Sequence, residues 1–170
     1  MDNMLLAARL VHIVLGIFWA GTLIFVALFL QPSMRDAGPD GAKVAAGLMR
    51  RRFFDVMPVV ALLTILSGFW LYWRVSGGFA NSYMGSGAGM AYGLGGVAAV
   101  LAFGIGVTTM RPAMLRAAKL SQQAAEVSGA EKEARMATAN ALRSKAAKAA
   151  RAVAGLLTLA AITMALGRYL

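Results

Sequence analysis

Four long apolar stretches alternate with short polar or charged ones along this chain. The first runs from Met4 to Leu30, the second from Phe53 to Val75, the third from Gly87 to Met110, and the fourth from about Ala152 to Leu170. Each reaches the roughly 20 residues that a helix needs to cross a bilayer. Their apolar positions follow no period of two, so the pattern predicts helices rather than strands. Pro58 falls in the first turns of the second stretch, where a missing N–H is tolerated, and Pro32 and Pro112 each fall just after a stretch.

The segment from 111 to 151 is rich in Ala, Gln, Glu, Lys and Arg, all good helix formers. It is interrupted at Ser128-Gly129-Ala130-Glu131, which matches a capping box with Ser128 as N-cap. The third and fourth helices therefore continue beyond the membrane as an antiparallel hairpin. The predicted architecture is all-α: a single domain over 1–170, a polytopic bundle of four transmembrane helices, with helices three and four extended into the cytoplasm.

Composition supports this reading. Of the 170 residues, 59% are hydrophobic and only 14% charged, well above the apolar share of a soluble domain. There is no cysteine, which excludes disulfides, thiolate metal sites and cysteine nucleophiles. The net charge of +10 does not indicate nucleic acid, because the basic residues lie between apolar spans. Arg35, Lys43, Arg50, Arg51 and Arg52 join helices one and two, and nine further Lys and Arg lie between Arg111 and Arg151. The loop from Ser76 to Ser86 carries no charge. The positive-inside rule then places both termini on the outer side, the periplasm of a bacterial inner membrane. The first stretch lacks a cleavage-site pattern and reads as a retained helix.

An internal repeat accompanies the spans. At an offset of 80, Gln31-Pro32-Ser33-Met34 aligns with Arg111-Pro112-Ala113-Met114, Gly16 with Gly96, and His12 with Tyr92. At an offset of 94, Ala61 to Ile65 aligns with Gly155 to Leu159. The offsets suggest two helical hairpins of the same orientation, a parallel repeat. They also put Tyr92 at the depth of His12, where it is expected to face it. Glycines crowd the third span, and small residues let helices approach closely in lipid, so this helix is expected at the packed centre.

His12 is the only histidine, and it lies inside the first span. An ionisable residue there is expensive and marks a functional site by default. Arg9, His12, Gly16, Trp19 and Leu23 share one helical face. In this reading Arg9 lies one turn nearer the outer surface, Gly16 leaves a gap below the histidine, and Trp19 closes it. A flat apolar ligand such as haem b suits that arrangement, with Arg9, Arg74 and Arg168 as partners for its propionates. The same arginines also suit snorkelling to headgroups. Copper is the alternative: Met1, Met4, Met84 and Met90 are expected at the outer end, and thioethers suit Cu(I). Met4 or Met90 also serves as a candidate second haem ligand. A third reading leaves His12 as an imidazole bonded to a neighbouring helix, in a non-catalytic bundle that assembles as a homo-oligomer or with a membrane partner. Trp70, Tyr72 and Trp73 read as an interfacial belt, and Asp55 as a helix-start carboxylate or a partner of Arg51 or Arg52. No acid pair or nucleophile–base set is visible.

His12, six residues, then Trp19-Ala20-Gly21 resembles the first helix of the copper resistance protein D (CopD)-like membrane proteins. It is similar also to the HemJ-type protoporphyrinogen oxidases and the membrane part of bacterial urate hydroxylases. The likeness extends loosely through Phe29-Leu30-Gln31-Pro32 and Ser67-Gly68-Phe69-Trp70-Leu71-Tyr72-Trp73, about half of the chain. The resemblance implies association with b-haem or copper, with His12 as the ligand. The lysine on which the oxidases rely has no counterpart within a span. With one histidine, the chain leaves five-coordinate haem, a His–Met or His–Tyr92 pair, or two His12 residues shared across a dimer.

Overall fold

The computed structural model describes residues 3–170, with the backbone alone at Pro39. Every element among them is helical. Four helices are long and apolar enough to cross a membrane: Asn3–Asp36, Phe53–Val75, Gly87–Ala125 and Gly129–Tyr169. They are called the first to fourth spans below. All-α multi-pass architecture thus follows from hydropathy and length. In lipid the backbone must satisfy itself, and a helix does so within one segment.

The spans form a ring in chain order. The first packs on the second and fourth, and the third packs on the second and fourth. The first and third are therefore diagonal, as are the second and fourth. The core is built mostly from small side chains: Ala61, Ala98, Ala102, Ala146, Ala150, Val153, Ala154 and Ala160 are buried, with Trp19, Leu23, Met57 and Leu157 among them. Without a hydrophobic drive between helices in lipid, such close approach lets dispersion forces hold the bundle. The fourth span, not the glycine-rich third, supplies the largest share of this core. The outward faces carry Ile13, Ile17, Leu66, Phe69, Val97 and Leu101, all exposed, as lipid contact requires.

The first and third helices continue past the prolines that follow their apolar stretches. Each makes a single π-helical turn just before its proline, at Val26–Leu30 and at Gly106–Met110. Pro32 and Pro112 lack the N–H that would bond four residues back, and their rings crowd that carbonyl. The turn widens instead: the Gln31 N–H reaches Val26 O, and the Arg111 N–H reaches Gly106 O. The two π turns lie 80 residues apart, the offset of the repeat read from the sequence.

Beyond the π turns the third and fourth spans run on as the expected hairpin. At 39 residues the third span is about 58 Å long, nearly twice the hydrocarbon thickness. Ala113, Ala117 and Ala124 pack against Ala139 and Ala146, and Arg143 donates to Ser121 Oγ at 2.7 Å. The capping box does not close. Ser128 is the N-cap but its side chain makes no cap bond, and Glu131 instead takes Arg135 at 2.5 Å. Two elements lie outside the predicted set: a loop helix, Pro39–Arg50, and a short one, Asn81–Met84.

Candidate functional site

The inward stripes of the bundle are buried toward the basic end, and those of the first and second spans become partly exposed toward the other. Trp19 and Leu23 of the first span are buried, as are Val60, Ala61 and Thr64 of the second and Val153, Leu157 and Ala160 of the fourth. Further along the stripes, two turns from Trp19 and one turn from Thr64 and Ala160, His12, Gly68 and Met164 are half-buried. The surface between the first and second spans is thus partly open toward the uncharged 76–86 loop, and His12 stands in that shallow mouth; the third and fourth spans stay closed there, with Gly89, Gly95 and Gly167 buried.

The imidazole is held from one side. His12 Nδ1 lies 2.8 Å from the Thr64 carbonyl oxygen and 3.4 Å from Ser67 Oγ. A carbonyl can only accept, so Nδ1 carries the proton and donates to it. Ser67 donates its own proton to the Leu63 carbonyl at 2.7 Å, and so offers Nδ1 only an acceptor. In the neutral ring Nε2 then bears the lone pair. Nε2 has no hydrogen-bond partner among the described residues, and no buried side-chain nitrogen or oxygen there is left unpartnered. Nε2 therefore reaches the surface of the mouth.

Glycine makes this placement possible. A Cβ at Gly68 would stand 2.6 Å from His12 Cε1 and 3.0 Å from Nδ1, so the ring lies directly on the backbone of the second span. The third and fourth spans repeat the device. A Cβ at Gly167 would stand 2.8 Å from Tyr92 Cε1. His12 and Tyr92 are 80 apart in sequence, whereas their glycine seats are 99 apart, so contact in space pairs the second and fourth spans five residues away from the offset of 94.

The other expected site residues are placed differently. Gly16 leaves no slot for a flat ligand below the histidine: a Cβ there would meet the Thr64 methyl in ordinary contact at 3.6 Å, so the gap is one methyl group deep. Trp19, at 3% exposure, belongs to the core, and the space it lines is a small cavity toward the basic end, away from His12. Tyr92 does not face His12; it lies on the diagonal span, with its ring on Gly167. Arg9 is exposed and has no ion pair among the described residues. Met4, Met84 and Met90 are all exposed. Met4 is eight residues before His12 on one helix, about 12 Å along its axis, too far to share an ion with it. Met1 lies outside the described residues. No group of three His, Cys, Asp or Glu converges among the described residues.

Beside the mouth, the Tyr72 hydroxyl donates to the Gly89 carbonyl at 2.9 Å and its ring stacks near Phe79 and Tyr83. Burial pushes the Tyr83 phenol above its usual range, and the neighbouring Tyr92 and Tyr72 phenols add to the rise. At the basic end two small apolar cavities of about 30 Å³ each flank the π turns, lined by Val26, Leu30 and Met110, and by Phe103, Gly106 and Met110. They have room for a water-sized guest, not for a cofactor.

Sequence reasoning missed the seat of the histidine. A bond from the imidazole to a neighbouring helix was among the expectations, but not that its acceptor is the Thr64 backbone carbonyl or that Gly68 lies beneath the ring. Met164 was also missed. It continues the buried stripe Val153, Leu157, Ala160 at helical spacing and packs on Gly95 of the third span, a signal present in the sequence once the inward face is known. Comparison with protein-family models, with curated proteins and with solved structures returned no match for this chain.

Proposed function

We propose that this is a small CopD-like protein of the bacterial cytoplasmic membrane, with its termini outside, in which His12 Nε2 is the axial ligand for a b-type haem. The observation that carries the reading is the one-sided hold on the imidazole. A ligating histidine typically donates its other N–H to a carbonyl or carboxylate, which fixes tautomer and ring orientation. The Thr64 carbonyl does this for Nδ1, and Gly68 sets the ring plane. What the donor set fits is one nitrogen ligand presented at an open mouth; a slot for the macrocycle is not preformed inside the bundle. Of the expected residues, His12 would hold the group and Arg9, exposed one turn away, would pair with an acidic substituent. Bound haem would supply one-electron exchange, in keeping with electron transfer or haem handling. Copper bound by His12 with a thioether is the second reading, with the exposed Met84 and Met90 as the sulfur donors.

The test is an absorption spectrum of detergent-purified protein from a haem-supplied host, oxidised and dithionite-reduced, beside His12→Ala, with metal analysis in parallel. The expected result is a Soret band that sharpens on reduction and is lost in a variant that still elutes as a folded bundle. Copper without a Soret band would replace haem by the second reading. Absence of both would leave His12 as a bond between two helices.

A further inference from the structure

Asp55 was the expected partner of Arg51 or Arg52. It is taken instead by Arg111 of the third span at 2.7 Å, while Arg111 Nε also donates to the Phe54 carbonyl at 2.9 Å. The other described carboxylates of this corner are committed too: Asp40 to Lys43 at 2.7 Å and Asp36 to Arg35 at 3.5 Å. Arg50, Arg51 and Arg52 are left consecutive, exposed, and without an ion pair among the described residues. Arg52 takes a left-handed φ of +54°, which turns the chain sharply from the loop helix into the second span. The next residue, Phe53, begins an apolar helix that crosses the membrane.

Three adjacent like charges repel one another, and no carboxylate among the described residues neutralises them. Their position supplies the missing partner. A residue abutting the end of a spanning helix lies at headgroup depth, where phosphodiester oxygens match the guanidinium fork. We propose that the Arg50–Arg51–Arg52 corner is a binding site for the headgroups of anionic phospholipids in the leaflet at the basic end. The loop helix holds the corner against the bundle. Its Ala45 and Leu48 cover Met34, Phe53 and Phe54, while Lys43 and Arg50 face outward. This site is independent of whatever His12 binds.

The experiment measures lipid retained by the whole protein in mixed micelles of phosphatidylglycerol and phosphatidylcholine, by native mass spectrometry. A cation near an anionic surface is worth roughly fivefold, so three predict a preference for phosphatidylglycerol above about tenfold at low salt even if they add poorly. The preference should fall steeply with ionic strength. Replacing all three arginines by Gln should bring it to near parity. Lys132→Gln, Lys145→Gln and Lys148→Gln together remove the same charge from the hairpin and should leave it intact. If the arginine variant fails to insert, the wild-type preference and Arg51→Gln alone decide the matter. No wild-type preference overturns the site, as does an equal loss in the hairpin variant, which would make it an effect of net charge. Saturation by inorganic phosphate at matched ionic strength would assign the site to a free anion instead of a lipid.

Discussion

Replacing Gly68 by Ala puts one methyl group where the imidazole lies. The new Cβ would be 2.6 Å from His12 Cε1, 3.0 Å from Nδ1 and 3.5 Å from Nε2. Atoms that close cannot coexist, so the ring must swing away and release the Thr64 carbonyl. Overpacking of this kind costs about 1–3 kcal/mol. The lost interhelical bond adds about 0.6 kcal/mol, with an upper value near 1.7 in membrane helices. Against this, Ala is favoured over Gly inside a helix by about 1 kcal/mol. The net expectation is a loss of about 1–3 kcal/mol. The decisive comparison is the same substitution in a His12→Ala background. With the ring absent, the methyl enters empty space and only the propensity gain remains, so Gly68→Ala should be neutral or stabilising by up to about 1 kcal/mol. A double-mutant cycle should therefore give a coupling of about 2–3 kcal/mol, well beyond the scatter for independent sites. Reversible unfolding in mixed micelles, followed by circular dichroism, reads it directly. Equal destabilisation in both backgrounds would refute the packing argument and, with it, the claim that Gly68 seats the histidine.

Other outcomes follow from the same contacts. Asp55→Asn should cost less than about 1 kcal/mol, because the Asp55–Arg111 pair is partly exposed, and the cost should shrink as salt is raised. Arg111→Ala should cost more and be less salt-sensitive, since the Phe54 carbonyl also loses its donor; the two unfolding midpoints compared at low and high salt check this. For Tyr83 the phenol is raised above its usual value near 10, so the fold favours the protonated form. The associated stability is complete below the unfolded value and is lost as pH rises through the folded one. Ultraviolet titrations of the wild type and Tyr83→Phe should differ by one ionisation step above pH 10; a missing step at or below pH 10 would contradict it.

Hydropathy and length alone determined the four spans, the all-α class and the continuation of the last two helices beyond the membrane. The reason is that lipid admits a single-chain helix only if it is long enough, apolar and internally bonded. The 80-residue offset was also legible from Pro32 and Pro112, and each is preceded by a π turn in the structure. The singling out of His12 needed only its cost inside an apolar run. Its surroundings were not legible. A spanning helix is apolar on every side, so no stripe of polar residues marks which face turns inward. The sequence therefore placed Gly16 and Trp19 as walls of a slot, whereas packing left a gap only one methyl group deep between the first and the Thr64 methyl and sank the second in the core. The ring order of the spans, set by close approach of small residues, separated Tyr92 from His12 and seated each on its own glycine. Tertiary structure likewise decided that Asp55 pairs with Arg111, 56 positions away, rather than with its neighbours, because the turn at Arg52 points Arg50, Arg51 and Arg52 away from the bundle.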